Sequence, residues 1–432
     1  MKQKLIVCVL SVVIAVSGAA AAPVGVRAAD RADRANTVIA WNGIMVATFA
    51  TASVPAPIST RLGAIVQAAV FDAVNGVHPS YTQIHVVPAA PHNASQQAAA
   101  AGAAYTALVS LFPLQKAALD ADLAASIAAM KGEDDDSNSA VTNGLAWGAA
   151  VAAQILSWRS ADGFNSVLPP YVQGSAIGDW VPTPGGSGPP KFRTLAVTTP
   201  FAMTSPSQFR PAGPPALTSA KYATDFNEVQ AYGSATSTIR TAFQTETAKF
   251  WQLDTPIGIW DRVADSLAQE HHLNLLRSAR LLAMVNMAEA DATIAVWDAK
   301  NTFNFWRPVT AIAQAALDGN PATTADPTWV PLLVTPYFQE YPSGHSGVSS
   351  AAVSVMASFF GNKSEFTVTS IGLPGVTRSV TSFSDAIAQV ADARVFAGFH
   401  FRFSCDVAAQ MGKQVAHQVE STLMQRLHDG ED

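Results

Sequence analysis

The sequence predicts a mainly α-helical protein made of two bundles, each like a four-helix bundle, with a long covering loop between them. Alanine- and leucine-rich stretches recur with the spacing of helices, and strand-like alternation is scarce. The segment 163–217 is instead dense in proline and glycine. Hydrophobic residues make up 49% of the chain and charged residues 13%, which excludes a disordered chain and gives no indication of a nucleic-acid-binding surface.

The first 28 residues have the layout of a secretory signal peptide. A cationic start precedes an apolar stretch and small residues that suit cleavage after Ala28, with Ala20 or Ala22 as alternatives. Cleavage after Ala28 removes three cations and no acid, so the formal charge changes from −6 to −9. Cys405 then remains as the single cysteine, and no intrachain disulfide is expected. The expected localisation is secreted or periplasmic, without a membrane anchor.

Helical spacing indicates an N-terminal half, 29–162, and a C-terminal half, 218–432. Within the C-terminal half, the alternation in 365–383 suits either a hairpin or a loop. Within the N-terminal half, the acidic run at 133–136 is interpreted as a solvated loop. The predicted helical stretches are 36–50, 59–77, 94–130, 139–162, 218–232, 236–253, 259–298, 345–361 and 383–427.

The segment 163–217 is expected to be an ordered loop that covers a pocket. Loops of this length are uncommon in compact domains and often form lids or pocket walls. An interdomain linker is the alternative, but a solvated linker has little use for aromatic side chains. The aromatic residues that argue against a linker are Trp180, Phe192, Phe201 and Phe209.

The stretch YPSGHSG has the chemistry of an anion site at the start of a helix. Ser343 suits the N-cap, Gly344 allows close backbone approach, and an apolar run follows. Free N–H groups in the first turn would lie beside His345 and stabilise negative charge. An ordinary turn with a structural histidine explains the same residues, so other charged groups must decide between the two interpretations.

The stretch WDAKNTFNFWRPVTAI places Lys300 and Arg307 among aromatic residues. Their spacing of seven residues returns to one helix face. Pro308 suits the first turn of a new helix, which places Arg307 at the junction. In either arrangement both cations can converge on one anion.

The stretch ARVFAGFHFRFSCDVA adds Arg394 and His400. Six residues separate them, so they do not share a helix face, and a bend near Gly398 is needed to bring both to one pocket. Taken alone, each has a structural explanation as an ion-pair partner or a buried histidine.

In this order, Lys-x6-Arg-Pro, Pro-Ser-Gly-His and Arg-x5-His resemble the signature of the vanadium-dependent haloperoxidases. The similarity is to the bacterial, chloroperoxidase-like branch, in the superfamily that also holds the type 2 phosphatidic acid phosphatases. It covers 255–427, and FRPAGPP and SAKYATDFNEV are similar to bacterial members, whereas 30–160 match only in being helical. The resemblance implies vanadate as cofactor, with phosphate able to occupy the same site.

The resemblance also implies how an oxyanion is bound. Lys300, Arg307 and Arg394 would neutralise the equatorial oxygens of vanadate or phosphate with charge-assisted hydrogen bonds. The hydroxyl of Ser343 and the N–H of Gly344 would complete the cradle.

Two histidines receive roles from the same resemblance. His400 would be the vanadium ligand in a peroxidase or the nucleophile towards phosphorus in a phosphatase. His345 would be the acid–base residue, and Lys300 would polarise bound peroxide.

Neighbouring aromatic residues favour the peroxidase branch. Trp297 and Phe338 resemble the halide-pocket aromatics of chloroperoxidases, where an apolar wall would desolvate a halide. Ordinary core packing is the alternative explanation for both rings.

One position departs from the family pattern. Phosphatases have Asp four residues after the second histidine, where it orients the imidazole, and this chain has Ser404 there. Ser404 is expected to accept a hydrogen bond, or Asp406 to act after a local shift.

The function implied is a secreted, vanadate-dependent haloperoxidase that oxidises halide with hydrogen peroxide to hypohalous acid. The alternatives are a soluble acid phosphatase with a phosphohistidine intermediate and a non-catalytic oxyanion-binding protein. The expected partners are small molecules: hydrogen peroxide, halide, and an organic acceptor or phosphate ester. No nucleic acid or membrane partner is expected, and a homodimer is left open.

Overall fold

In the computed structural model, which describes residues 36–131 and 137–427, the chain forms thirteen α-helices and one two-stranded sheet. The predicted mainly α fold is therefore confirmed. The helices, in chain order, are α1 (Thr37–Thr51), α2 (Ala56–Val77), α3 (Gln96–Leu111), α4 (Lys116–Lys131), α5 (Asn138–Ser160), α6 (Ala220–Gly233), α7 (Ala242–Gln252), α8 (Pro256–Glu270), α9 (Leu275–Phe303), α10 (Pro308–Ala313), α11 (Gly344–Phe360), α12 (Phe383–Phe396) and α13 (Arg402–Thr422).

Three of the predicted helical stretches are each divided into two helices. The first breaks after Leu111, because Pro113 follows and cannot continue the hydrogen-bond ladder. The second breaks between α8 and α9, where His272 has a φ of 50° and Asn274 caps α9. The third breaks after α12, and the bend expected near Gly398 is present, with a φ of 81° at that glycine.

Strands β1 (Phe366–Thr369) and β2 (Thr377–Val380) form an antiparallel hairpin. Phe366 pairs with Val380, and alternate residues of each strand are buried. Of the two structures that the alternation suits, the chain therefore adopts the hairpin rather than a loop.

Helix α9 is the central element, and its side chains are buried almost without interruption from Ser278 to Lys300. It packs against α2, α8, α11 and α13, so the core is continuous from α1 to α13. Helices α11 and α13 approach closely because Gly347 and Gly412 meet, and a Cβ at Gly412 would collide with the carbonyl oxygen of Gly347. Residues 36–427 lie within one compact unit, and the division into two halves stays a prediction.

The proline- and glycine-rich segment is ordered against α9. Its regular structure is the 3₁₀ turn Arg193–Val197. The Asp291 carboxylate of α9 accepts three backbone hydrogen bonds from the segment, at 2.7, 2.8 and 3.0 Å from the N–H groups of Phe201, Ala202 and Met203. Anchoring of this kind is expected for a pocket wall and not for a solvated linker.

Two sequence predictions, the signal peptide at 1–28 and the acidic loop at 133–136, lie outside the described residues. Within the described residues, no single helix is long and apolar enough to cross a membrane. A bent pair, Gln96–Leu111 with Pro113–Met130 at 117°, has the length and composition when taken together.

Candidate functional site

The C-terminal end of α9 brings Lys300 into the core. Its side chain is fully buried, and Nζ donates to the carbonyl oxygens of Gln339 and Glu340, both at 2.8 Å. Burial, reinforced by the neighbouring Arg307, holds the Lys300 pKa well below its usual range. The ammonium is thus positioned by main-chain oxygens and lacks a directly bonded carboxylate in the described part of the chain.

Arg307 is the N-cap residue of α10, and Pro308 occupies the first turn, as the sequence predicted. The buried guanidinium donates through Nε to the Phe338 carbonyl at 2.8 Å and through Nη1 to the Phe399 carbonyl at 3.0 Å. Burial lowers its pKa to about 9. Its Nη2 has no hydrogen-bond partner among the residues that the structure describes.

Arg394 lies in the last turn of α12 and is also buried. Nη1 donates to the side-chain oxygen of Gln252, at the end of α7, at 2.6 Å. Its Nε is unpartnered within the described chain, and burial lowers the pKa to about 10. Gln252 was not predicted as a site residue, because nothing in its local sequence indicates a contact 142 positions away.

Helix α11 begins in the Pro-Ser-Gly-His motif. Ser343 is the N-cap, and its Oγ lies 3.0 Å from Oγ of Ser346. His345 is in the first turn, and its Nε2 is buried without a hydrogen-bond partner in the ranges described. Burial, and then the positive charges of Arg394, Arg307 and Lys300, hold the His345 pKa well below its usual range, so the imidazole is neutral at pH 7.

His400 follows the bend at Gly398 and is held at both ring nitrogens. Nε2 lies 3.1 Å from Nη1 of Arg307, and Nδ1 lies 2.8 Å from Oε1 of Glu340. Burial raises the Glu340 pKa to about 7, against the opposing effect of Arg307 and Lys300.

The sequence analysis did not single out Glu340. The available signal was an isolated acid two residues before the proline of the motif. The phosphatase pattern predicts the carboxylate that orients the imidazole after His400 instead. There, Ser404 Oγ is 3.5 Å from Nδ1, at the limit of hydrogen bonding, and Asp406 is exposed on α13.

A cavity of about 160 Å³ joins these elements. It is closed on the other side mainly by apolar residues of α2, α8 and α11. Of the nine residues predicted for the site, Lys300, Arg307 and Ser343 are buried beside the cavity. The six predicted residues that line it are Trp297, Phe338, Gly344, His345, Arg394 and His400.

Two aromatic rings, Trp297 and Phe338, line the cavity, and a third, Phe192, packs against both. The ring centroids of Trp297 and Phe338 are 5.1 Å apart, and Phe192 of the covering loop lies 6.2 Å from each. Lys300 Nζ is 5.3 Å from the centre of the Phe338 ring. The sequence analysis noted Phe192 in the loop but did not assign it to the pocket.

The polar groups of the site fit a tetrahedral oxyanion. Arg394 lines the cavity, and the buried cations Lys300 and Arg307 lie next to its lining residues Phe338 and His400, with one buried carboxylate, Glu340, in this part of the described chain. Buried N–H donors without acceptors are costly, and an anion with several oxygens supplies what they lack. The fold and the site are therefore those expected of an α-helical protein that binds an oxyanion beside two histidines.

Comparison with known proteins finds similarity to one family, which in sequence covers part of the chain. Residues 280–430 match the family model described as the VCPO second helical-bundle domain. The chain is similar to the vanadium chloroperoxidase of Curvularia inaequalis, at 28% identity over 152 residues. This match covers 29% of the chain and 24% of that relative, so it spans about a quarter of the relative's length.

Solved structures share the fold over most of the chain. A structure described as the first bacterial vanadium-dependent iodoperoxidase has a TM-score of 0.77 at 24% identity, covering 90% of this chain and 97% of that one. A holo-type bacterial vanadium-dependent chloroperoxidase has a TM-score of 0.67 at 18% identity, covering 85% and 91%. The predicted resemblance to the vanadium-dependent haloperoxidase family is confirmed.

Proposed function

We propose that this protein is a secreted, vanadate-dependent haloperoxidase that oxidises halide with hydrogen peroxide to hypohalous acid. The observation that supports this most is that His400 lines the same cavity as His345 and Arg394, while its Nε2 contacts the buried Arg307. Secretion is proposed from the first 28 residues alone.

The residues present suit vanadate. Nε2 of His400 would be the ligand atom, and the free donors of Arg307 and Arg394, with the ammonium of Lys300, would bind its oxygens. Bound vanadate supplies a Lewis acid that activates peroxide without changing its own oxidation state.

His345 moves the proton. Because its pKa is depressed by burial and by three cations, Nε2 is a free base that accepts a proton from hydrogen peroxide as peroxide binds. Negative charge arriving at the cations raises the proton affinity of the imidazole, so His345 can then hold that proton until the product leaves.

The aromatic wall is the proposed halide side of the cavity. The rings of Trp297, Phe338 and Phe192 exclude water, while Lys300 Nζ remains 5.3 Å from the Phe338 ring. A halide there loses part of its hydration and stays within the field of a cation, which favours its attack on activated peroxide.

A second candidate is a soluble acid phosphatase. The pairing of His400 with Glu340 favours it, because a carboxylate on Nδ1 is also how a nucleophilic imidazole is oriented. His400 Nε2 would attack phosphorus, and the ester oxygen would leave with a proton from His345.

The deciding experiment measures peroxide-dependent halogenation of an organic acceptor by the purified mature protein. It is run with chloride, bromide and iodide, with and without orthovanadate. Halogenation that requires vanadate, and that falls about 10²- to 10⁴-fold in His345→Ala, is expected. His417→Ala, at an exposed histidine of α13, is the matched control and keeps full activity.

Folded protein that binds vanadate but halogenates nothing contradicts the proposal. Phosphate-ester hydrolysis with a trapped phosphohistidine at His400 then identifies the phosphatase. Binding without either reaction identifies an oxyanion-binding protein.

A further inference from the structure

We infer that Glu340 is a positioning residue, which fixes the His400 ring with an unprotonated Nε2 and thereby sets how strongly the site binds an anion that bonds to the imidazole. The inference deepens the proposed function, since vanadate is the anion to which it applies. It rests on hydrogen-bond geometry at both ring nitrogens.

The partners of His400 assign its tautomer. A guanidinium has N–H donors and no acceptor, so Arg307 Nη1, 3.1 Å from Nε2, requires Nε2 to be the acceptor. The ring proton therefore lies on Nδ1, which donates to Glu340 Oε1 at 2.8 Å. The lone pair on Nε2 is therefore available to a ligand that replaces this contact with Arg307.

Glu340 is itself held through its backbone and through Oε1 of its carboxylate. Its side chain is fully buried, and Oε1 also accepts from the N–H of Phe401, the N-cap residue of α13, at 3.1 Å. Its own N–H donates to the Phe305 carbonyl at 3.0 Å, and its carbonyl accepts from Lys300 at 2.8 Å. One residue thus links the Lys300 ammonium to the orientation of the His400 ring.

No other acid of the described chain hydrogen-bonds to His400. Ser404 Oγ is 3.5 Å from Nδ1 and is the weaker of the two partners. In this chain the orienting carboxylate therefore precedes the Pro-Ser-Gly-His motif, where the phosphatase pattern has it after the histidine.

A carboxylate on the far nitrogen makes an imidazole a better ligand and holds its plane. Losing such a partner typically lowers the affinity for the bound group by about 10- to 100-fold. The effect should be specific to an anion that forms a bond to Nε2, because an anion held only by the cations does not depend on the ring's proton.

The test compares two tetrahedral oxyanions, orthovanadate and inorganic phosphate, by titration calorimetry at one pH. Both contact the cations, but vanadate accepts the imidazole as a ligand. We expect Glu340→Ala to lower the affinity for vanadate, relative to that for phosphate, by about 10- to 100-fold. Glu340→Gln keeps an acceptor oxygen without the charge and should fall between Ala and wild type. His417→Ala, at an exposed histidine of α13, is the control and should leave the ratio unchanged.

A parallel loss of both anions in the Glu340 variants overturns the inference, because it indicates a structural role. So does a wild-type protein that does not prefer vanadate over phosphate. If Glu340→Ala does not fold, Glu340→Gln with bound vanadate provides the test. A ⁵¹V resonance at the wild-type position in that variant overturns the inference. Vanadate preference in a wild type that fails to halogenate contradicts the proposed function and leaves the positioning role standing.

Discussion

Helix α9 passes through two buried charged regions of opposite sign. At its end, Lys300 joins Arg307 and Arg394 in what we call the cation cluster. About 16 Å earlier along the helix, Glu289 lies with Asp261 and Asp265 of α8, which we call the acidic cluster. Burial lowers the pKa values of the cations and raises those of the acids.

The two clusters resolve the cost of burial differently. Glu289 and Asp261 become neutral by keeping a proton, since burial and mutual repulsion raise both pKa values well above their usual range. Arg307 and Arg394 stay charged at neutral pH, because their pKa values of about 9 and 10 are still above it. Only the cation cluster therefore needs a ligand of opposite charge.

Removing a cation should produce the largest effect. Arg394→Met is expected to weaken oxyanion binding about 100-fold, because a charge-assisted contact is lost, and to raise the melting temperature of the anion-free protein by a few degrees. Phosphate titration and a thermal melt measure both quantities.

Arg402→Met is the control for Arg394. Arg402 already pairs with Glu228 and Asp392, at 2.6 and 2.7 Å, so its loss should lower stability and leave phosphate affinity intact. A melting temperature that falls in Arg394→Met would contradict the view that this cation is buried at a cost.

Two buried acids of α9 differ in the number of hydrogen-bond donors that their carboxylates meet, and this difference gives a second test. Asp291 accepts three backbone N–H groups, whereas neither carboxylate oxygen of Glu289 has a partner in the described chain. Asp291→Asn should reduce the free energy of unfolding by about 2–4 kcal/mol, while Glu289→Gln should change it by less than about 1 kcal/mol. Denaturant titration of both variants tests this. Equal losses would mean that Glu289 is ionised and needed as an anion.

The most gradual effect is a pH dependence from Asp265. Burial raises its pKa to about 7, although a hydrogen bond from Asn42 opposes the shift. The folded state then binds this proton more tightly than the unfolded state. The stabilisation is complete below about pH 4 and is lost as the pH rises through about 7, by up to about 1.4 kcal/mol per pH unit.

Asp265→Asn should reduce the pH dependence of the free energy of unfolding between pH 4 and 7. Asp120, an exposed acid whose pKa is lowered by Lys116, provides the control, and Asp120→Asn should leave that slope unchanged. An unaltered slope in Asp265→Asn would show that this carboxyl titrates normally.

The sequence predicted those parts of the site that depend only on residues close together in one segment. The N-cap at Ser343, the new helix at Pro308 and the bend at Gly398 each follow from neighbouring residues. The helix breaks after Leu111 and before Asn274 were missed, because apolar spacing continues across them.

Contacts between distant segments could not be predicted in the same way. Glu340 meets His400 across 60 positions and Gln252 meets Arg394 across 142. Which acid or amide reaches the site depends on helix packing, and no local pattern records it. Phe192 is a similar case, because its loop is placed by Asp291 and not by its own sequence.

The origin of Phe192 has a consequence for how such a site can diversify. The groups that grip the anion belong to helices and their termini, where a shift in one side chain disturbs the core. The third ring beside the cavity belongs to a stretch fastened mainly through its backbone. Substitutions at position 192 can therefore change how Trp297 and Phe338 pack while the cation cluster is kept, which separates changes on the apolar side of the cavity from changes on its cationic side.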